Sequence, residues 1–229
     1  MIWLYTRKIG KVQAIAKGIR KIKSRKAGHL EPFTHVNLLM ARGRSFLIVT
    51  QAETIDPFLN LREDLLRVGY AAYITELLDR FTYDEDDNQQ IYRLLIETLH
   101  RIDTENDPNI PVRYFEVKLL ELLGYRPELT NCVNCGSEIN AEDQYFSISL
   151  GGAVCPRCGP KVSDAIRISL NTLKYLRHYQ RSSYSEATRA QLSPQLNGNL
   201  EQLMQRYFTY FLERNLNTPT FIRNVKNQT

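Results

Sequence analysis

The sequence lacks any apolar run approaching the roughly 18 residues a membrane helix needs. Its opening, Met1-Ile2-Trp3-Leu4-Tyr5-Thr6-Arg7, has none of the basic, then apolar, then small-residue order of a secretion signal. Membrane insertion and export are therefore not expected, and the chain is expected to be cytoplasmic. Also missing are the glycine-rich phosphate loop, the G-x-G-x-x-G turn and the G-x-S-x-G elbow, which argues against an NTPase, a dinucleotide-binding enzyme and a common hydrolase. The four histidines, His29, His35, His100 and His178, have no metalloprotease spacing and read as surface or hydrogen-bonded residues. Acid pairs such as Glu63 and Asp64, or the run from Asp84 to Asp87, read as solvated. No enzyme is expected.

What the chain does have is an uneven charge. Residues 1–52 hold eleven Lys and Arg against Glu31 alone, a net +10, so the rest must sum to −5 for the total of +5. That asymmetry points the N-terminal part at a polyanion and leaves the remainder for another task.

Hydrophobic periodicity divides the chain near residue 56, into 1–55 and 56–229. Residues 11–17 read as a strand with Val12, Ala14 and Ala16 on one face, and Gly18 opens a basic loop. Strands over 33–41 and 45–55 flank Arg42-Gly43-Arg44, where Gly43 is expected to supply a positive φ. A small antiparallel sheet results, with a cationic loop at its edge. Beyond Asp56, expected as a helix cap, Leu61, Leu65, Leu66, Tyr73, Leu77 and Leu78 draw one helical face. Further helices are expected over 89–103, over 112–123 with Gly124 as terminator, over 170–180 from a Ser169 cap, and over 200–213. The Tyr207, Phe208 and Phe211 stripe reads as core, and the residues from Asn217 as loosely held.

All four cysteines fall in one module, at about 130–160, as Cys132-x-x-Cys135 and Cys155-x-x-Cys158. C-x2-C-x19-C-x2-C is zinc-ribbon spacing, in which each knuckle supplies two thiolates. Gly136 and Gly159 follow each knuckle, where a small residue eases the turn. Four thiolates complete a tetrahedron and leave no position for water, so one structural zinc ion is expected and metal hydrolysis is not. Free or redox-active thiols are the competing reading.

The loop cations Lys17, Arg20, Lys21, Lys23, Arg25 and Lys26, with Arg42 and Arg44, form the second signal. Beside the rings of Tyr5, Phe33 and Phe46 they suggest a single-strand nucleic-acid surface, against the plain alternative of a solvated loop.

Four stretches in order resemble the RecO family: Leu4-Tyr5-Thr6-Arg7 through Gly18; Leu30-Glu31-Pro32-Phe33 with Thr50-Gln51-Ala52-Glu53; Tyr70-Ala71-Ala72-Tyr73 through Asp79; and Phe115-Glu116 through Leu122-Leu123-Gly124-Tyr125 into Cys132, with Gly151-Gly152 ahead of Cys155. The resemblance implies an α+β chain, with an N-terminal OB-fold-like small β-barrel followed by an α-helical domain carrying an inserted four-cysteine zinc ribbon. It also implies a recombination mediator in DNA repair, which binds single-stranded DNA, anneals complementary strands and acts with RecR. Such a protein helps RecA onto DNA coated by single-strand-binding protein (SSB), whose C-terminal tail it contacts. Cys132, Cys135, Cys155 and Cys158 become the zinc ligands, and the basic residues from Lys17 to Lys26 the DNA contacts. The family pattern begins with an earlier strand and turn, so a five-stranded barrel is expected to be one strand short here. A zinc-ribbon adaptor in a transcription or translation assembly is the alternative.

Overall fold

The computed structural model describes every residue except Arg20, Ile22, Lys23, Arg25, Glu85, Asp87 and Thr229. Three of the expected DNA contacts, Arg20, Lys23 and Arg25, therefore lie outside the described residues. The architecture is α+β, in two compact units: Met1–Pro108 with Thr220–Thr229, and Asn109–Pro219.

In the first unit β1 (Ile2–Thr6), β2 (Gly10–Ile15), β3 (His35–Arg42) and β4 (Leu47–Asp56) form one sheet in the order β1-β2-β4-β3. The alternation in β2 works as the sequence suggests: Val12, Ala14 and Ala16 are buried, and Leu38, Met40 and Val49 join the same apolar cluster. One feature of the expected sheet is corrected. β2 and β4 pair in parallel, through Ala14↔Leu47 and Ile15↔Ile48, because the segment 16–34 and β3 together supply the crossover a parallel pair needs. Among the described residues this sheet stays open rather than closing into a barrel. Register moves from Leu39↔Gln51 to Met40↔Val49, so Thr50 is the extra residue of a bulge, and its hydroxyl donates to the Leu39 carbonyl at 2.8 Å.

Gly43 is not in the left-handed region. A side chain there would meet the Phe46 carbonyl oxygen at 2.6 Å, so close approach, not positive φ, requires glycine at this turn.

The expected first helix is two. α1 (Leu59–Glu63) stops at Asp64 and α2 (Leu65–Phe81) restarts there, with the Asp64 carboxylate accepting from the Leu66 and Arg67 amides at 2.8 and 3.0 Å as an N-cap. Asp56 ends β4 and accepts from the Phe58 amide at 3.0 Å, which turns the chain without capping a helix. α3 (Gln89–Thr104) is capped by Asn88. The tail from Asn217 is corrected as well: it forms α8 (Thr218–Lys226), with Ile222 and Val225 buried. Gly69 of α2 leaves room for it, since a Cβ there would lie 3.1–3.3 Å from Ile222 and Phe221.

The second unit opens with α4 (Asn109–Leu122), which starts three residues before the expected 112 because Pro111 is tolerated in a first turn. Gly124 at φ +81° ends it, with the Tyr125 amide reaching back to the Leu120 carbonyl at 2.8 Å as in a Schellman motif. β5 (Gln144–Ser147), β6 (Gly152–Val154) and β7 (Ala165–Ile168) form a three-stranded sheet in the order β6-β5-β7. α5 (Leu170–Arg181), α6 (Tyr184–Ala187) and α7 (Pro194–Leu212) complete the unit. α7 begins six residues before the expected 200, from a Ser193 cap with Pro194 in its first turn, where proline suits a helix. Tyr207 and Phe208 are buried in this unit.

Candidate metal centre and nucleic-acid surface

The four cysteines converge. Their Sγ atoms all lie within 4.8 Å of one another, and Cys135 Sγ and Cys155 Sγ are 3.8 Å apart. Four sulfurs held at a zinc–sulfur length of about 2.3 Å sit about 3.8 Å apart on the edges of a tetrahedron, so the tetrad fits such an ion. Each knuckle folds by local amide bonds: Gly136 to the Cys132 carbonyl at 2.8 Å, and Cys158 and Gly159 to the Cys155 carbonyl at 3.0 and 2.9 Å. The Cys155 amide donates to Cys132 Sγ at 3.3 Å, spreading charge from the sulfur.

The two knuckle glycines serve different ends. Gly136 adopts φ +75°, a conformation that side chains resist. At Gly159 a Cβ would lie 2.2 Å from the Tyr145 ring, so glycine there lets the second knuckle pack flat on an aromatic face.

Two of the thiols, Cys135 and Cys155, are biased toward the thiolate that ligation requires. The Ser137 hydroxyl, 3.0 Å from Cys135 Sγ, and the Ser137 amide bring Cys135 down to about 6. Burial works against Cys155, but the Cys158 amide and side chain still lower it. Asn134 lowers Cys158, yet the neighbouring Cys155 and Cys135 outweigh it and push that thiol up to about 11. The Cys158 thiol thus holds its proton among crowded sulfurs, and a divalent cation bound there would displace it.

The module is fastened from α5. The Arg177 guanidinium donates to the Leu129 carbonyl at 2.6 and 3.0 Å and to the Ile139 carbonyl at 3.1 Å, while Gln180 Nε2 reaches the Pro127 carbonyl at 2.9 Å. None of these partners carries a sequence signature; only the cysteines do.

In the N-terminal unit, Lys17, Lys21, Arg42 and Arg44 are exposed and form no ion pair among the described residues. Lys26 differs from them. Its ammonium donates to the Val49 carbonyl at 2.9 Å, beside the Thr50 bulge. Of the rings, Tyr5 and Phe33 are half-buried and Phe46 is 43% exposed. Sequence reasoning missed Trp3, 55% exposed on β1, with Lys11 Nζ 5.6 Å from its ring centroid. Position on an edge strand exposes it, and nothing in the local pattern announces that. Lys11 itself is compensated by Asp79 and Asp84 at 3.4 and 3.5 Å.

All four histidines have partners: His29 with Thr54, His35 with Tyr92, His100 with Asp56, and His178 with Ser182. No helix among the described residues is long and apolar enough to cross a membrane.

Fold and site together define a class: an α+β protein in which a small cationic N-terminal sheet precedes helices bearing a four-cysteine cluster that fits a metal ion. Residues 1–58 match the family model described as Recombination protein O N terminal, and residues 62–219 the one described as Recombination protein O C terminal. The chain belongs to the RecO family of recombination and DNA-repair proteins. It is 36% identical over 218 residues to the DNA repair protein RecO of Roseiflexus sp. (strain RS-1), covering 95% of this chain and 77% of that relative. A Dehalococcoides mccartyi RecO (strain ATCC BAA-2266 / KCTC 15142 / 195) is 36% identical over 211 residues, 92% of this chain and 83% of its own length. The RecO of Symbiobacterium thermophilum is 34% identical over 229 residues, 99% of this chain and 90% of its own.

Proposed function

We propose that this chain is a recombination mediator that works without catalysis. Residues 1–55 hold single-stranded DNA, and residues 56–229 carry one structural zinc ion on Cys132, Cys135, Cys155 and Cys158 and meet protein partners. The protein anneals complementary strands and, with RecR, assists RecA loading on DNA coated by SSB, whose C-terminal tail it contacts. It acts in the cytoplasm, at the nucleoid. Family membership supports the repair setting.

The observation that carries the reading is the set Lys17, Lys21, Arg42 and Arg44, exposed and without carboxylate partners among the described residues, on the unit that also exposes Trp3 and Phe46. Exposed cations and open rings on one unit suit a strand whose phosphates need neutralising and whose bases need stacking, without sequence preference. Arg20, Lys23 and Arg25 add to that charge. The closed thiolate tetrad leaves no metal position for a reacting water, in keeping with a structural ion.

A strand-annealing assay on SSB-coated complementary oligonucleotides tests it. The protein should accelerate annealing, and the K17E/K21E/R42E/R44E variant should lose that while keeping its melting temperature. Equal annealing by the reversed-charge variant would sink the reading.

A further inference from the structure

Within the second unit, the end of β7, the start of α5 and one side of α7 enclose a cleft of about 190 Å³. Most of its lining side chains carry hydrogen-bond donors. Arg167 of β7 and Arg206 of α7 line it together with the Asn199 and Gln202 amides and the Ser169 and Thr172 hydroxyls. Both arginines are exposed, and neither is in an ion pair among the described residues. No carboxylate lines the cleft.

Arg167 is positioned from below. Its guanidinium lies 5.8 Å from the Tyr145 ring centroid, and that ring packs on Gly159, where a Cβ would be 2.2 Å away. The arginine therefore stands on an aromatic seat fixed by the second cysteine knuckle. Arg206 comes from a different element, so the two guanidiniums reach the cleft independently. The helix start is not what makes the site, because the Leu170 amide is taken by Asp143 at 2.9 Å and the Thr172 amide by Ser169 at 3.2 Å.

We propose that this cleft binds a backbone phosphate of a nucleic-acid strand, as a second contact outside the N-terminal sheet. Two guanidiniums with amides and hydroxyls between them match the spread of acceptor oxygens on a phosphodiester. Of the three apolar residues at the cleft, Ile168 and Leu203 are buried and Ile166 is half-buried. Little apolar surface is open to anchor a peptide side chain, which favours phosphate over the terminus of an acidic protein. The inference rests on the single-strand binding proposed above and adds a place to it.

The test measures affinity of the full-length protein for a fluorescent single-stranded oligonucleotide across a salt series. The R167Q/R206Q variant should bind roughly tenfold more weakly, whatever the base sequence. Its slope of log K against log salt should be shallower by about 0.7, the value for one single-strand phosphate. R206Q alone disturbs no ring contact, so it should show part of the same loss with unchanged metal content and melting temperature. Arginine variants that bind as the unchanged protein does, while K17Q/K21Q binds more weakly, would overturn this site and leave the N-terminal one standing. An unchanged protein that binds no single strand would overturn both. If a glutamate-rich peptide, and not an oligonucleotide, depends on Arg206, the cleft belongs to an acidic protein and the phosphate assignment is wrong.

Discussion

Among single residues, His35 makes the clearest physical commitment. Burial lowers its pKa below 6.5, against an opposing pull from Asp56, and its ring nitrogen meets the Tyr92 hydroxyl at 3.0 Å. Neutral imidazole is thus the form that the fold favours. The sign follows by linkage: this contribution is present above pH 6.5 and is lost as pH falls through the lowered folded value, where the unfolded chain takes up the proton more readily. The urea midpoint should therefore drop between pH 7.5 and pH 5.5, and H35N should flatten that drop. An equally steep fall in H35N would assign it elsewhere. Sequence alone could say that His35 was no metal ligand, because no spacing supported one. Its partner is 57 residues away, and such distances are invisible to local pattern. Lys26 shows the same limit from the other side. It stands in a run of cations and is indistinguishable from Lys21 by type, yet its ammonium donates to the Val49 carbonyl of β4.

At the scale of elements, the cysteine module is both the most legible part of the chain and the most testable. Its ligand spacing is a local property, so the tetrad could be named from residue numbers. What holds the tetrad in place could not be, since Arg177, Gln180 and Tyr145 act across long sequence separations. About one zinc ion per chain is expected, and less than about 0.2 in protein purified without chelator would reject it. Stripping the metal should lower the thermal midpoint more than single-strand affinity. G159A should behave as a partial version of that loss, because its methyl must displace the Tyr145 ring, and G159A with native zinc retention and melting would contradict the packing described. Elsewhere, strands with strict alternation were readable, as at Val12, Ala14 and Ala16. Asp64 and the tail were not. A continuous apolar face hid the break at Asp64, whose carboxylate satisfies amides that a continuous helix would have bonded itself. α8 looked loose because its short apolar face means little until Gly69 offers a surface without a side chain.

For the whole molecule, the cations and the cysteines lie in different stretches of the chain. Eleven cations crowd the first 52 residues, while the four cysteines sit in a unit that begins at Asn109. The two units are not consecutive along the chain. The second interrupts the first, which resumes at Thr220 and contributes the packing of Ile222 and Phe221 on Gly69. Both chain termini therefore belong to the same unit. Under tension applied between the termini, load runs through the first unit and bypasses the second, whose two covalent junctions are anchored to that one body. In an optical-trap experiment the first rupture should release residues of the terminal unit, with α8 peeling from α2. Only then should the cysteine-bearing unit feel the force and extend as a separate, later event. If the later unit yields first, α8 is not the clasp that its packing makes it. Pulled between β1 and α8, the chain would, on this topology, keep its cysteine-bearing unit mechanically shielded.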